Sequence, residues 1–121
     1  MIGEKQIKTK DDSVNLDFHS YMDEAAKITA HLLERHLGYE AIITSGKDGR
    51  HSNNSLHYKG RAADFRTWTS PTSGQQITQA TKISIVEDIH NVLNAHFYGR
   101  AIFDVIAEST HIHVELDQVY G

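Results

Sequence analysis

Two clusters in the chain carry residue types that bind metals and move protons. In His111-Ile112-His113-Val114-Glu115, the two-residue alternation of a strand sends both imidazoles and Glu115 to one face and Ile112 and Val114 to the other. The second cluster is Ser55-Leu56-His57-Tyr58-Lys59-Gly60-Arg61-Ala62-Ala63-Asp64, where a histidine precedes an aspartate by seven positions. Gly60 permits the left-handed or close backbone path that folds His57 back beside Asp64, and the small Ala62 and Ala63 leave room for packing. Each cluster alone has an ordinary reading. H-x-H suits the polar side of a half-exposed strand, and the stretch from His57 to Asp64 suits a capped turn leading into a strand with a solvent-facing carboxylate. Together they supply a zinc set of His57, Asp64 and one histidine of the His111/His113 pair.

The chain has no cysteine, so disulfides and thiolate-held zinc are excluded and a metal must sit on His, Asp or Glu. Three N/O ligands with an open fourth position describe a hydrolytic zinc site, in which the metal makes water acidic enough to attack near neutral pH. Such chemistry also needs a base for the water proton and a donor for the oxyanion that develops on the attacked carbonyl. Glu108, His111 and His51 are the candidates. Arg50, beside His51, is the candidate for a substrate carboxylate, because a guanidinium matches that group bidentately.

The elements that must position these groups follow from periodicity. Tyr21, Ala25, Ile28, Leu32 and Leu33 recur at three- and four-residue intervals, which predicts an amphipathic helix starting after Asp17 and capped by Gly38. Residues 41–44 read as a short strand followed by the turn Ser45-Gly46-Lys47-Asp48-Gly49, and 62–65 as a second strand followed by a Thr/Ser/Pro/Gly-rich loop over 67–74. Ile85, Val86, Ile89, Val92 and Leu93 predict a second long helix over 77–95, and 101–106 and 111–116 predict a hairpin turning at Glu108-Ser109-Thr110. Residues 1–12 are polar without period and are expected to form a loose arm. This order predicts one α+β domain over residues 1–121, a small mainly antiparallel sheet with two main helices packed on one face.

Composition narrows the function. At 121 residues the chain accommodates one core and one site. A net charge of -4 with scattered Lys and Arg disfavours nucleic acid. No apolar run is long enough to span a membrane, and the N-terminal residues lack the apolar stretch of a secretory signal. The chain itself is therefore expected to carry no export or membrane-spanning signal. Of the nine histidines, His31, His36, His90 and His96 have spacings unsuited to joint ligation, and His19 stands near a helix start; all five read as core or surface residues. Trp68 and Tyr58 suit either a groove wall or a buried position, Arg61 and Arg66 read as surface residues, and Glu115 and Asp117 suit either orienting a ligand histidine or, more commonly, a solvated strand end.

The motif S-x-H-x-x-G-x-A-x-D at 55–64, followed by H-x-H at 111–113, resembles the zinc-binding fold shared by D-alanyl-D-alanine metallopeptidases and the hedgehog signalling domain. The resemblance covers about residues 44–117 and is densest in HSNNSLHYKGRAADF and ESTHIHVE, the S-L-H-Y-x-G-R-A stretch being closer to hedgehog. It implies that His57, Asp64 and His113 hold zinc, that His111 assists at the transition state, and that Glu108 sits near the family's base. In peptidases with an E-x-x-H motif, Glu108-Ser109-Thr110-His111 is the match, which would make His111 the ligand. The spacing from Glu108 to His113 is one residue shorter than in hedgehog domains. His51 matches a hedgehog histidine beside the zinc, and Ser55 and Arg50 fall where such peptidases hold the substrate peptide or its terminal carboxylate. The acidic calcium cluster of animal hedgehog domains is reduced to Asp48, so calcium is not expected. The resemblance points to a microbial or phage relative and implies a zinc peptidase acting next to D-amino acids in peptidoglycan, cytoplasmic or phage-associated and reaching the cell wall by another route. The alternative is a zinc-holding recognition module without turnover.

Overall fold

The computed structural model describes residues 8–11, 13–46 and 60–120. Its elements run β1 (Lys8–Thr9), α1 (Ser20–Leu37), β2 (Ile42–Ser45), β3 (Ala62–Arg66), α2 (Gln79–His96), β4 (Ala101–Ala107) and β5 (His111–Val119). They form an α+β fold whose five-stranded sheet has the order β1-β2-β3-β5-β4. The β1–β2 pairing is parallel and the other three are antiparallel, so the sheet is mixed. Within the expected loose arm, Lys8 and Thr9 instead pair with Ile42 and Ile43, and the Lys10 amide continues to the Ile43 carbonyl at 3.0 Å. Backbone hydrogen bonding along an open sheet edge needs no hydrophobic period, which is why this strand left no mark in the residue pattern.

Helix α1 begins where the His19 side chain accepts from the Tyr21 amide at 3.1 Å. It ends at Gly38, whose φ of 81° is the left-handed cap expected from the sequence. Thr78 caps α2 by accepting from the Thr81 amide at 3.2 Å. The stripes expected on both helices are the buried ones: Ala25, Ile28, Leu32 and Leu33 meet Ile85, Ile89 and Leu93 in a single core. On the sheet, Ile43, Ala63, Phe65, Phe103, Ile112, Val114 and Leu116 face that same core. Each fully buried Leu, Ile or Phe contributes roughly 1.5–3 kcal/mol relative to exposure, so this one-sided burial fixes which side chains remain on the opposite face. Those include Asp64 and Arg66 of β3 and His111, His113 and Glu115 of β5.

The register sets the neighbours. Asp64 lies directly opposite His113, Arg66 opposite His111, and Ala62 opposite Glu115. A bulge between Ile43 and Ser45 shifts β2 against β3 beside Asp64. A bulge bends its strand and redirects side chains locally. The Glu108-Ser109-Thr110 turn closes β4 and β5 as the sequence predicts, with the Glu108 amide donating to the His111 carbonyl at 2.9 Å. No helix among the described residues is long and apolar enough to cross a membrane.

Candidate functional site

The site is a patch on the open face of β3 and β5. Asp64 is nearly buried, and its Oδ1 stands 2.8 Å from Nδ1 of His113 and 3.4 Å from Nε2 of His111. One carboxylate oxygen thus faces both histidines of the H-x-H pair. The other ring nitrogen of His113, Nε2, lies 2.8 Å from Oε1 of Glu115, the next residue on the same face. His113 is consequently held at both nitrogens by carboxylates. Burial alone would lower its pKa, but the hydrogen bond and charge of Asp64, followed by those of Glu115, outweigh burial and raise it above the ordinary histidine value.

His111 is more open, with 26% of its side chain exposed against 14% for His113. Its Nδ1 meets the Thr110 hydroxyl at 3.1 Å, so Nε2 is the nitrogen turned toward Asp64. Glu108 approaches the same Nε2 at 4.0 Å from the hairpin turn and is nearly half exposed. That turn is pinned from below. Lys82 of α2, 1% exposed, donates from Nζ to the carbonyls of Glu108 at 2.6 Å and Ser109 at 3.0 Å. Lys82 falls on the helical stripe with Ile85, Ile89 and Leu93, and a lysine in that register was the available signal for a buried ammonium seeking carbonyls.

Of the residues singled out in the sequence, the structure brings together Asp64, His111 and His113, with Glu108 at their edge. His57, His51, Arg50 and Ser55 lie outside the described residues, as do Asp48 and Tyr58. Gly46 and Gly60, the described residues on either side of 47–59, both press on the stretch before α1. Gly60 has φ +68°, and a Cβ there would stand 2.6 Å from the Asp17 carbonyl oxygen. The Gly60 carbonyl accepts from the His19 amide at 2.8 Å. The left-handed conformation expected of this glycine is present and its close approach is to the stretch before α1, while the expected return of His57 to Asp64 lies outside the described residues.

The other described histidines stand apart from the site. His19 caps α1, His36 pairs with Asp88 at 2.8 Å, His96 with Glu24 at 3.2 Å, and His31 and His90 are exposed. Arg61 donates to the carbonyls of Leu116 at 3.0 Å and Asp117 at 2.8 Å, securing the end of β5. Asp104, Glu115 and Asp117 bring carboxylate oxygens within 4.8 Å of one another on the outer part of the same face, a cluster of a kind that is common without an ion. Comparison with protein-family models, with curated proteins and with solved structures gave no match.

Proposed function

We propose that the chain is a zinc-dependent peptidase that hydrolyses peptide bonds next to D-amino acids in peptidoglycan. The observation that carries this reading is the convergence of Asp64, His111 and His113 on one carboxylate oxygen, from two strands far apart in sequence. The donor chemistry fits zinc: one carboxylate and imidazole nitrogens, in a chain without cysteine. Asp64 and His113, together with His57 from the stretch between Gly46 and Gly60, would hold the metal, as the motif resemblance implies. Zinc in such a set supplies acidified water and polarisation of a carbonyl.

The chain's own groups do the rest. Glu108, exposed at the hairpin turn, takes the proton of the attacking water. His111, with Nδ1 beside the Thr110 hydroxyl, presents Nε2 to the oxyanion that forms on the attacked carbonyl. Glu115 holds Nε2 of His113, which leaves Nδ1 as the nitrogen offered beside Asp64. Lys82 keeps the turn carrying Glu108 in register with His111.

The second reading is a zinc-holding recognition module without turnover. It draws on the 4.0 Å between Glu108 and His111, which leaves the carboxylate without a direct hydrogen bond to the imidazole. The deciding experiment reconstitutes purified protein with zinc and measures release of D-alanine or muropeptides. It compares His111→Ala and Glu108→Ala variants whose metal content is verified by elemental analysis. Release by the wild type that drops at least ~100-fold in both variants supports the peptidase. No release at any zinc loading supports the module.

A further inference from the structure

The open face continues past His111 into a groove of about 410 Å³ whose walls include Lys10, Thr44, Arg66, Trp68, Thr110 and His111. Among the described residues its lining has two cationic side chains and no carboxylate, in a chain whose net charge is -4. Among the described residues, neither Lys10 nor Arg66 forms a salt bridge, although the charge of Lys10 acts on the neighbouring Asp11. The Arg66 guanidinium lies 3.8 Å over the Trp68 ring, which fixes its plane while its N–H edge remains available. Trp68 is itself held in place: it bridges Gln76 across the loop after β3, where the Ile77 amide donates to the Thr67 carbonyl at 3.0 Å and the Thr69 amide to the Gln75 carbonyl at 2.7 Å. Arg66 stands directly opposite His111 and two positions along β3 from Asp64. At a rise of about 3.3 Å per residue that is roughly 7 Å, about two residues of an extended peptide.

We infer that this groove binds a free carboxylate of the substrate peptide, taken by the Arg66 guanidinium on its Trp68 platform with Lys10 as the second cation. The inference rests on the peptidase reading for its substrate class. A carboxylate held there lies within about two residues of the Asp64, His111 and His113 cluster along an extended peptide, so it sets which bond is presented to that cluster. The carboxylate can belong to the C-terminus or to an acidic side chain of the peptide; a planar guanidinium recognises the same two oxygens in either.

Trp68 is the sole tryptophan of the chain, so its fluorescence reports occupancy of the groove without any turnover. The experiment titrates the full chain, zinc-loaded and metal-free, with three probes: N-acetyl-D-alanyl-D-alanine, its C-terminal amide, and an N-acetyl-D-alanyl-D-glutamic acid α-amide that keeps only the side-chain carboxylate. The expected result is a Trp68 emission change with the free acid at a Kd roughly tenfold below that of the amide. The side-chain acid then shows which carboxylate the groove takes. Arg66→Gln should erase the preference for acid over amide, and Arg66→Lys should retain part of it, with thermal melts confirming that both variants fold. Equal binding of acid and amide, no emission change with any probe, or an acid preference that survives Arg66→Gln would overturn the inference. A carboxylate preference without release of D-alanine retains the groove and removes the peptidase, whereas release without the preference does the reverse.

Discussion

Asp64 and His113 face each other across the β3–β5 pairing, and the same imidazole that reaches Asp64 through Nδ1 reaches Glu115 through Nε2, both at 2.8 Å. The first contact is set by register and the second by the two-residue alternation of β5. Because the core side chains of both strands are buried on the opposite face, a slip of one residue would carry the whole polar cluster into the core. The geometry of the site is therefore enforced by Ala63, Phe65, Ile112 and Val114 as much as by its own hydrogen bonds.

Glu115 is expected to act on the metal through His113. Removing its carboxylate with Glu115→Ala leaves Nε2 of His113 without the acceptor that orients the ring. Loss of such a partner costs about 10–100-fold in metal affinity. Glu115→Gln keeps an acceptor oxygen and should lose less. Competition titrations of zinc against a chromophoric chelator measure both values, and equal affinity of wild type and Glu115→Ala would remove this role.

The raised pKa of His113 gives the metal-free protein a specific pH dependence. A folded-state pKa above the unfolded value means that the folded form holds the proton more tightly. The stabilisation is complete below the ordinary value of 6.5 and is lost as pH rises through the folded pKa. The melting temperature of the metal-free protein should therefore fall on going from about pH 6 to about pH 8, and His113→Gln should flatten that slope. Zinc reverses the trend, because the metal competes with the proton for the same imidazole and its affinity rises with pH over this interval. Thermal melts at matched ionic strength, with chelator and with zinc, check both signs.

Part of this arrangement was legible in the residues. The H-x-H-x-E alternation, the helical stripes and the Gly38 cap are local patterns with one period each, and their burial follows them. The meeting of Asp64 with His113 was legible only through the chemistry, since nothing in a strand's own pattern selects its partner. Three features escaped because their causes are not periodic. The Lys8–Thr9 strand depends on an available sheet edge. Lys82 is buried because its ammonium finds two turn carbonyls. Arg66 read as a surface residue because the Trp68 ring that supports it is placed by the loop after β3.

Lys82 offers a separation of stability from catalysis. Lys82→Met keeps most of the buried aliphatic stem but leaves the Glu108 and Ser109 carbonyls without their donor. An unsatisfied buried acceptor costs about 1–3 kcal/mol, so the denaturation midpoint should fall while the protein remains folded. If the turn positions Glu108 as argued, kcat for peptide hydrolysis falls with zinc content unchanged, because the hydrogen bonds of Lys82 go to the turn carbonyls and not to Asp64 or His113. A variant with lowered stability and full kcat would show that the turn needs no such support.

Gly60, the first described residue after 47–59, packs against the stretch before α1. In Gly60→Ala the new methyl would lie 2.6 Å from the Asp17 carbonyl oxygen, on a backbone at φ +68° that side chains rarely adopt. Both faults act at once, and the expected loss is about 1–3 kcal/mol of stability, read by urea denaturation. Relief of the clash requires the backbone to move, and the residue stands four positions before Asp64 and three after His57. Zinc affinity should consequently fall beyond what the stability loss alone produces. The control is Gly38→Ala, another glycine at positive φ but with open space around its Cβ and no link to the site. It should cost stability without changing zinc affinity, and a matched loss of affinity in both variants would show that Gly60 has no special bearing on the metal.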